Sequence, residues 1–267
     1  MYKFLSIFRL VFLERMTYRI NLFMQIISGV LSSLIVIFLW VAIYRSAGRG
    51  IIGGYSIGEM ITYLLGGGLI NTFILTTAEN SETSQNIQEG SLSFLFLQPL
   101  SPYAVWFLRD LGGKAFYFLL GLASYAVVFF FFREYLILSP SGGFFALFMV
   151  SLVFAALLQF LFFEALNLLS FWVENTYGIR FTMRVIMEVL GGALIPLSFF
   201  PMILQKVFLL LPFQFLIFFP MRIYLGKIAI NQIIVEFIKE GVWVAVLGLL
   251  NWMIWKRGVR QYVAMGD

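Results

Sequence analysis

Read only for hydrophobic and polar positions, the chain is a series of long apolar runs separated by short polar interruptions. Residues 20–44 carry no charge, with Asn21 and Gln25 near one end. A hydrocarbon core is crossed by about 20 such residues, so this run predicts a first transmembrane helix. Residues 60–78 predict a second, which contains Gly66, Gly67, Gly68, Asn71 and Thr72, small or polar residues that let helices approach closely. Further spans are predicted over residues 103–132, 144–173, 181–200 and 240–255. Two regions do not fit this pattern. Residues 1–19 place Lys3, Arg9, Glu14, Arg15 and Arg19 among apolar residues, which forbids a span and predicts an interfacial helix with snorkelling cations. In residues 201–238, Pro201, Pro212 and Pro220 delimit pieces too short to cross, as expected for a re-entrant hairpin of two half-length helices.

The longest polar interruption lies at residues 78–102, between the second and third spans. Asn80 or Ser81 is placed to cap a short helix, and Gly90 supplies its stop. Residues 90–108 are uncharged and long enough to be taken for a span, but two prolines and three serines lie inside them. They are read instead as a bent segment leading into the third span. A chain this apolar keeps so polar a loop for a use.

Composition places the protein in a class. Hydrophobic residues make up 61% of 267 and charged residues 12%, and the mean hydropathy is +0.96. These values describe an all-α integral membrane protein. The net charge of +5 reads as topology rather than as a nucleic-acid surface, because the basic residues sit at the ends of apolar runs. With both termini in the cytoplasm, 11 of the 18 basic residues fall inside and 7 outside, and the polar loop faces the cytoplasm. The N-terminus lacks the pattern of a cleaved signal peptide, since Arg9, Glu14 and Arg15 interrupt it.

Candidate chemistry is sparse. There is no cysteine and no histidine, which removes thiol chemistry, the commonest general base and the commonest metal ligand. A lipid-acting membrane enzyme would have to rely on carboxylates such as Glu164 and Glu174, which have no metal-ligand companions. The glycine runs at 66–68 and 191–192 lack the lysine of a phosphate-binding loop, so no nucleotide site is evident. Energy for transport then comes from a partner subunit or from an ion. Glu164 stands nearly alone inside a span, which favours the partner over a secondary transporter. On a helix Glu164, Asn167, Ser170 and Glu174 share about one third of the circumference, a polar stripe that must face protein or water. It is either a buried structural contact or the wet mouth of a path.

An interfacial helix, six spans, a polar inner loop and a proline-broken hairpin before the last span together resemble the permease subunit of a type-2 ABC exporter. Within the loop, Glu89, Gly90, Ser91 and Leu92, followed by Gln98, Pro99, Leu100, Ser101 and Pro102, are similar to that family's loop motif. The sequence departs from it where Ser91 and Ser93 stand in place of acidic residues and Gln98 in place of a basic one. The resemblance implies a cytoplasmic coupling loop at residues 80–102 that docks on a separate ABC ATPase through Glu82, Gln85, Gln88, Glu89 and Gly90. It also implies that ATP and Mg sit on that partner, with no cofactor on this chain. A second permease subunit, identical or related, is implied as well, in the cell membrane. The 32 Phe and 12 Tyr suggest an apolar or amphiphilic substrate, although such residues also serve as lipid-facing and packing groups. A non-transporting scaffold that recruits a soluble partner is the rival reading.

Overall fold

The computed structural model describes residues 2–17 and 19–262, leaving aside the side chains of residues 2–5, 19 and 79. The expected anchoring roles of Lys3 and Arg19 therefore lie outside the described side chains. The chain is mostly helical. Helix α1, Tyr2–Met16, precedes the long α2, Arg19–Ala47. Strands β1, Ile51–Ile52, and β2, Tyr55–Ser56, form an antiparallel hairpin in which Ile52 pairs with Tyr55. Its two-residue turn holds Gly53 at φ +58° and Gly54 at φ +85°, the left-handed pair that matches strand twist. Helix α3, Ile57–Leu75, starts at a capping box: Ser56 Oγ accepts from Glu59 N at 3.3 Å, and Glu59 Oε2 accepts from Ser56 N at 2.7 Å.

Helix α4, Glu82–Gln88, and α5, Leu92–Phe96, follow. Helix α6 is Pro102–Phe131, capped by Ser101 with Pro102 in its first turn, where a missing N–H costs no hydrogen bond. Helix α7, Gly142–Leu168, is capped by Ser141. After it come α8, Tyr177–Leu190; α9, Met202–Phe208; α10, Phe218–Tyr224; and α11, Ile230–Gly258.

Among the described residues, four helical stretches are long and apolar enough to cross a membrane: Ile20–Ala47, Ile57–Gln88, Pro102–Phe131 and Gly142–Phe171. The second is not one straight rod. A 3-10 turn at Thr76–Glu79 follows α3, and Asn80 is extended at ψ 119°, so α4 is a separate helix. Residues 90–108 do not form one helix either: α5 has five residues, and the chain bends at Pro99 before α6.

Three expected boundaries are corrected. The fifth span, expected over 181–200, is instead the 14-residue α8, about 21 Å long at 1.5 Å per residue. That falls short of a core about 30 Å thick. The helix stops because Gly192 takes φ +82°, with Ala193 N donating to Glu188 O at 3.0 Å and Gly192 N to Val189 O at 3.3 Å. This double closure is a Schellman stop. The last helix begins at Ile230, ten residues before the expected 240, so the proline-broken region ends at 229 rather than 238. Lys239 and Glu236 pair at 2.7 Å along its flank and so do not interrupt it. In the proline-broken region the two half-length helices differ. Helix α9 buries none of its residues, whereas α10 buries Phe218, Phe219, Pro220, Met221 and Ile223 and packs against α7 and α3.

The core runs from the hairpin through α3, α7 and α10. Tyr63, fully buried on α3, donates to Gly192 O at 2.7 Å, and Phe218 N donates to Gly191 O at 2.9 Å. These bonds fasten the end of α8 between α3 and α10.

Candidate functional site: the seated helix α4

Helix α4 is seven residues long, too short to be stable alone in water. Its neighbours hold it. Thr83, Ser84 and Ile87 are buried on its underside, at the i, i+1 and i+4 positions of one helical face. Ile87 and Leu92 pack into an apolar cluster with Trp106 of α6 and Phe160 and Leu168 of α7.

Beside that cluster lies a polar seat. Thr83 Oγ1 donates to Glu164 Oε2 at 3.1 Å. Ser84 Oγ lies 3.2 Å from Asn167 Oδ1, 2.8 Å from Ser170 Oγ and 3.0 Å from Thr176 Oγ1. The buried Arg180 of α8 donates from Nη1 to Ser84 Oγ at 3.0 Å, Asn167 Oδ1 at 3.1 Å and Thr176 Oγ1 at 2.5 Å. Asn167 Nδ2 completes the frame, donating to Asn80 O at 3.2 Å. A buried guanidinium holds such a cluster strongly because its planar donors have fixed directions.

Glu82 belongs to the frame as well. Arg109 of α6 donates from Nε to Glu82 Oε2 at 2.6 Å and from Nη2 to Glu14 Oε2 at 2.8 Å. One guanidinium therefore clamps α4 and α1 to α6. Helix α1 is pressed on the same face, with Val11 against Gly112 and the Phe12 ring 5.3 Å edge-on from Phe116.

The remaining sequence-selected residues fall on the outward side. Gln85, Gln88 and Glu89 are exposed. Gln88 is tethered, its side-chain amide donating to the backbone oxygen of Glu174. Gly90 ends the segment at φ +77°, and its carbonyl accepts from the Tyr262 hydroxyl. Glu89 N donates to Gln85 O at 2.8 Å as the helix closes. At the other end Ser81 is the N-cap residue but makes no side-chain cap bond, and Asn80 Oδ1, one residue earlier, accepts from Glu82 N at 3.2 Å. Beyond Gly90, Phe94, Phe96 and Leu97 are exposed.

The expected stripe on α7 is corrected at one member. Glu164, Asn167 and Ser170 are buried together against α4, but α7 ends at Leu168 and Glu174 is carried out to the surface. Thr83, Ser84, Thr176 and Arg180 were not singled out from the sequence. Their pairings across α4 span 81 to 96 residues, and small hydroxyls carry no pattern of their own. The four-residue spacing of Thr176 and Arg180 was the one local sign. Among the described residues, no group of three acidic side chains is placed to hold a metal ion.

Helices long and apolar enough to cross a membrane, with a short polar helix held against them, define a helical membrane protein. A model of the ABC-2 family transporter proteins matches residues 30–266, and the chain belongs to that family. No curated protein matches it.

Proposed function

We propose that this chain is the membrane-spanning permease subunit of an ATP-driven exporter, and that α4 is the coupling helix which receives movement from a separate cytoplasmic ATPase. The observation that carries the reading is the two-sided character of α4. Hydrogen bonds with α7 and α8 hold one side, α7 also holds the Asn80 turn before it, and Gln85, Gln88 and Glu89 face outward from the other. A helix held this way moves as one body with its seat. In this reading Gln85, Gln88, Glu89 and Gly90 meet the ATPase, while Glu82 is the internal clamp. ATP and Mg are bound by the partner.

The chain crosses the membrane six times, through α2, α3, α6, α7, α8 with the residues after it, and α11. Both termini lie in the cytoplasm of a cell-membrane protein. Four of those crossings rest on helices of spanning length and composition. The 14 residues of α8 are continued by the broken segment that packs on Tyr63 and α10. A second permease subunit, identical or related, completes the path, and the substrate is apolar or amphiphilic.

The test is reconstitution with a candidate ATPase in lipid vesicles. Glu89→Lys reverses an exposed charge on the outward side without touching the seat. A solvated charge contributes roughly 0 to 1 kcal/mol, and a desolvated interfacial one several. The expected result is normal membrane insertion with co-purification and stimulated hydrolysis lost. Binding without stimulation would support a scaffold, and substrate transport driven by an ion gradient alone would support a secondary transporter.

A further inference from the structure

Directly beneath α4 there is a small, partly open polar chamber of about 20 Å³, between the turn after α3, α6 and α7. Four of the residues that line it each have a buried polar atom with no hydrogen-bond partner: Thr77 Oγ1, Trp106 Nε1, Gln159 Oε1 and Glu164 Oε1. Their residues are 5%, 3%, 1% and 3% exposed, so bulk water does not reach them. Four around one small space are a built site, since each left unsatisfied costs about 1–3 kcal/mol.

We propose that this chamber is a binding site for one structural water molecule, which joins α6, α7 and the α3–α4 turn under the seat of α4. The chemistry of the walls selects the ligand. Trp106 Nε1–H can only donate, so the ligand must accept, and a metal cation cannot. Gln159 Oε1 can only accept, so the ligand must also donate, and a bare anion cannot; the Glu164 carboxyl beside it opposes an anion further. Thr77 does either. A water accepts from Trp106 and Thr77 and donates to Gln159 and Glu164, four bonds in all. The size agrees, because a water needs a space of about 10–15 Å³ and two to four polar partners.

The site is one bond from α4, since the other Glu164 oxygen accepts from Thr83. A hydrogen-bonded water is a joint that can break and re-form as helices shift, where packed apolar side chains would have to slide. The site stands whether or not α4 meets an ATPase, because its test uses no partner and no transport.

The experiment has two arms on the purified full-length protein. In radiolytic labelling in ¹⁸O-water, a bound water oxidises the side chains that surround it. Wild-type protein should carry ¹⁸O on Trp106 or Phe160 despite their burial, with exposed Tyr135 as the control. Label on Tyr135 with none in the chamber would overturn the proposal. In the second arm, thermal melting is followed for Gln159→Leu, Trp106→Phe and the double variant. A water bound by both predicts a lower Tm for each, with the double variant losing less than the two losses together. Trp106→Phe also thins the apolar cluster around Ile87 and lowers Tm by itself, so a dry chamber predicts no loss for Gln159→Leu, where an unpaired polar group is replaced by an apolar one of similar size, and single losses that simply add in the double variant. A Tm that falls when Na⁺ is exchanged for choline would indicate a cation and also overturn the water.

Discussion

Thr83 Oγ1 lies 3.1 Å from Glu164 Oε2, a buried bond between a seven-residue loop helix and the last turns of the long helix α7. It gives Glu164 a structural partner. Glu164→Gln keeps an oxygen that accepts from Thr83, and the Tm should stay close to wild type. Glu164→Leu removes the acceptor and strands the Thr83 hydroxyl, at a cost of about 1–3 kcal/mol. Thermal melting of the two variants in detergent checks this. A Gln variant as unstable as the Leu variant would mean that the charge itself holds α4.

Arg109 spans two carboxylates of unequal burial, and the two pairs should be unequal in strength. Glu14 is half exposed, so Glu14→Ala should cost roughly 0 to 1 kcal/mol and the loss should fade at high salt. Glu82 is better shielded, and Arg109→Ala leaves it without its cation, at about 1–3 kcal/mol. A double-mutant cycle in chemical or thermal unfolding separates them. Coupling of Arg109 to Glu14 as large as its coupling to Glu82 would contradict the clamp described for α4.

The stop of α8 depends on a backbone conformation that only glycine adopts readily. Gly192 has φ +82°, and an added Cβ would lie 2.7 Å from the Tyr63 hydroxyl. Gly192→Ala should destabilise by about 1–3 kcal/mol. Gly178, in the first turn of α8 with open space around it, is the control: Gly178→Ala should be neutral or stabilise by up to about 1 kcal/mol. Equal melting of the two variants would show that the left-handed turn is not required.

The orientation is open to a direct test, because the chain has no cysteine. Gly50 is exposed next to the hairpin, with no atom within 4 Å of an added Cβ, and Gln85 is exposed on α4. An impermeant maleimide applied to intact cells should modify Gly50→Cys and spare Gln85→Cys, and permeabilised cells should give both. Labelling of Gln85→Cys in intact cells would reverse the topology.

The sequence alone determined the membrane class, the α2, α6 and α7 runs, and the separateness of the polar loop. These depend on local quantities: the length of an apolar run, the positions of charges and prolines, and a glycine after a polar helix. Gly90 could be read in advance because a left-handed stop is a property of one residue. The Gly191–Gly192 pair could have ended α8 or packed it, and hydropathy continued past it. Only the bonds to Tyr63 and Phe218 decided that the helix ends there. The charges near residue 240 misplaced the start of α11, because a salt bridge along a helix leaves the helix intact. The seat of α4 was hidden more deeply. Glu164 and Asn167 stood out as polar residues in an apolar run, but their partners are hydroxyls and an arginine from distant parts of the chain. Tertiary structure alone selected Thr83, Ser84 and Arg180, because a buried polar group must find a partner wherever the fold brings one within reach.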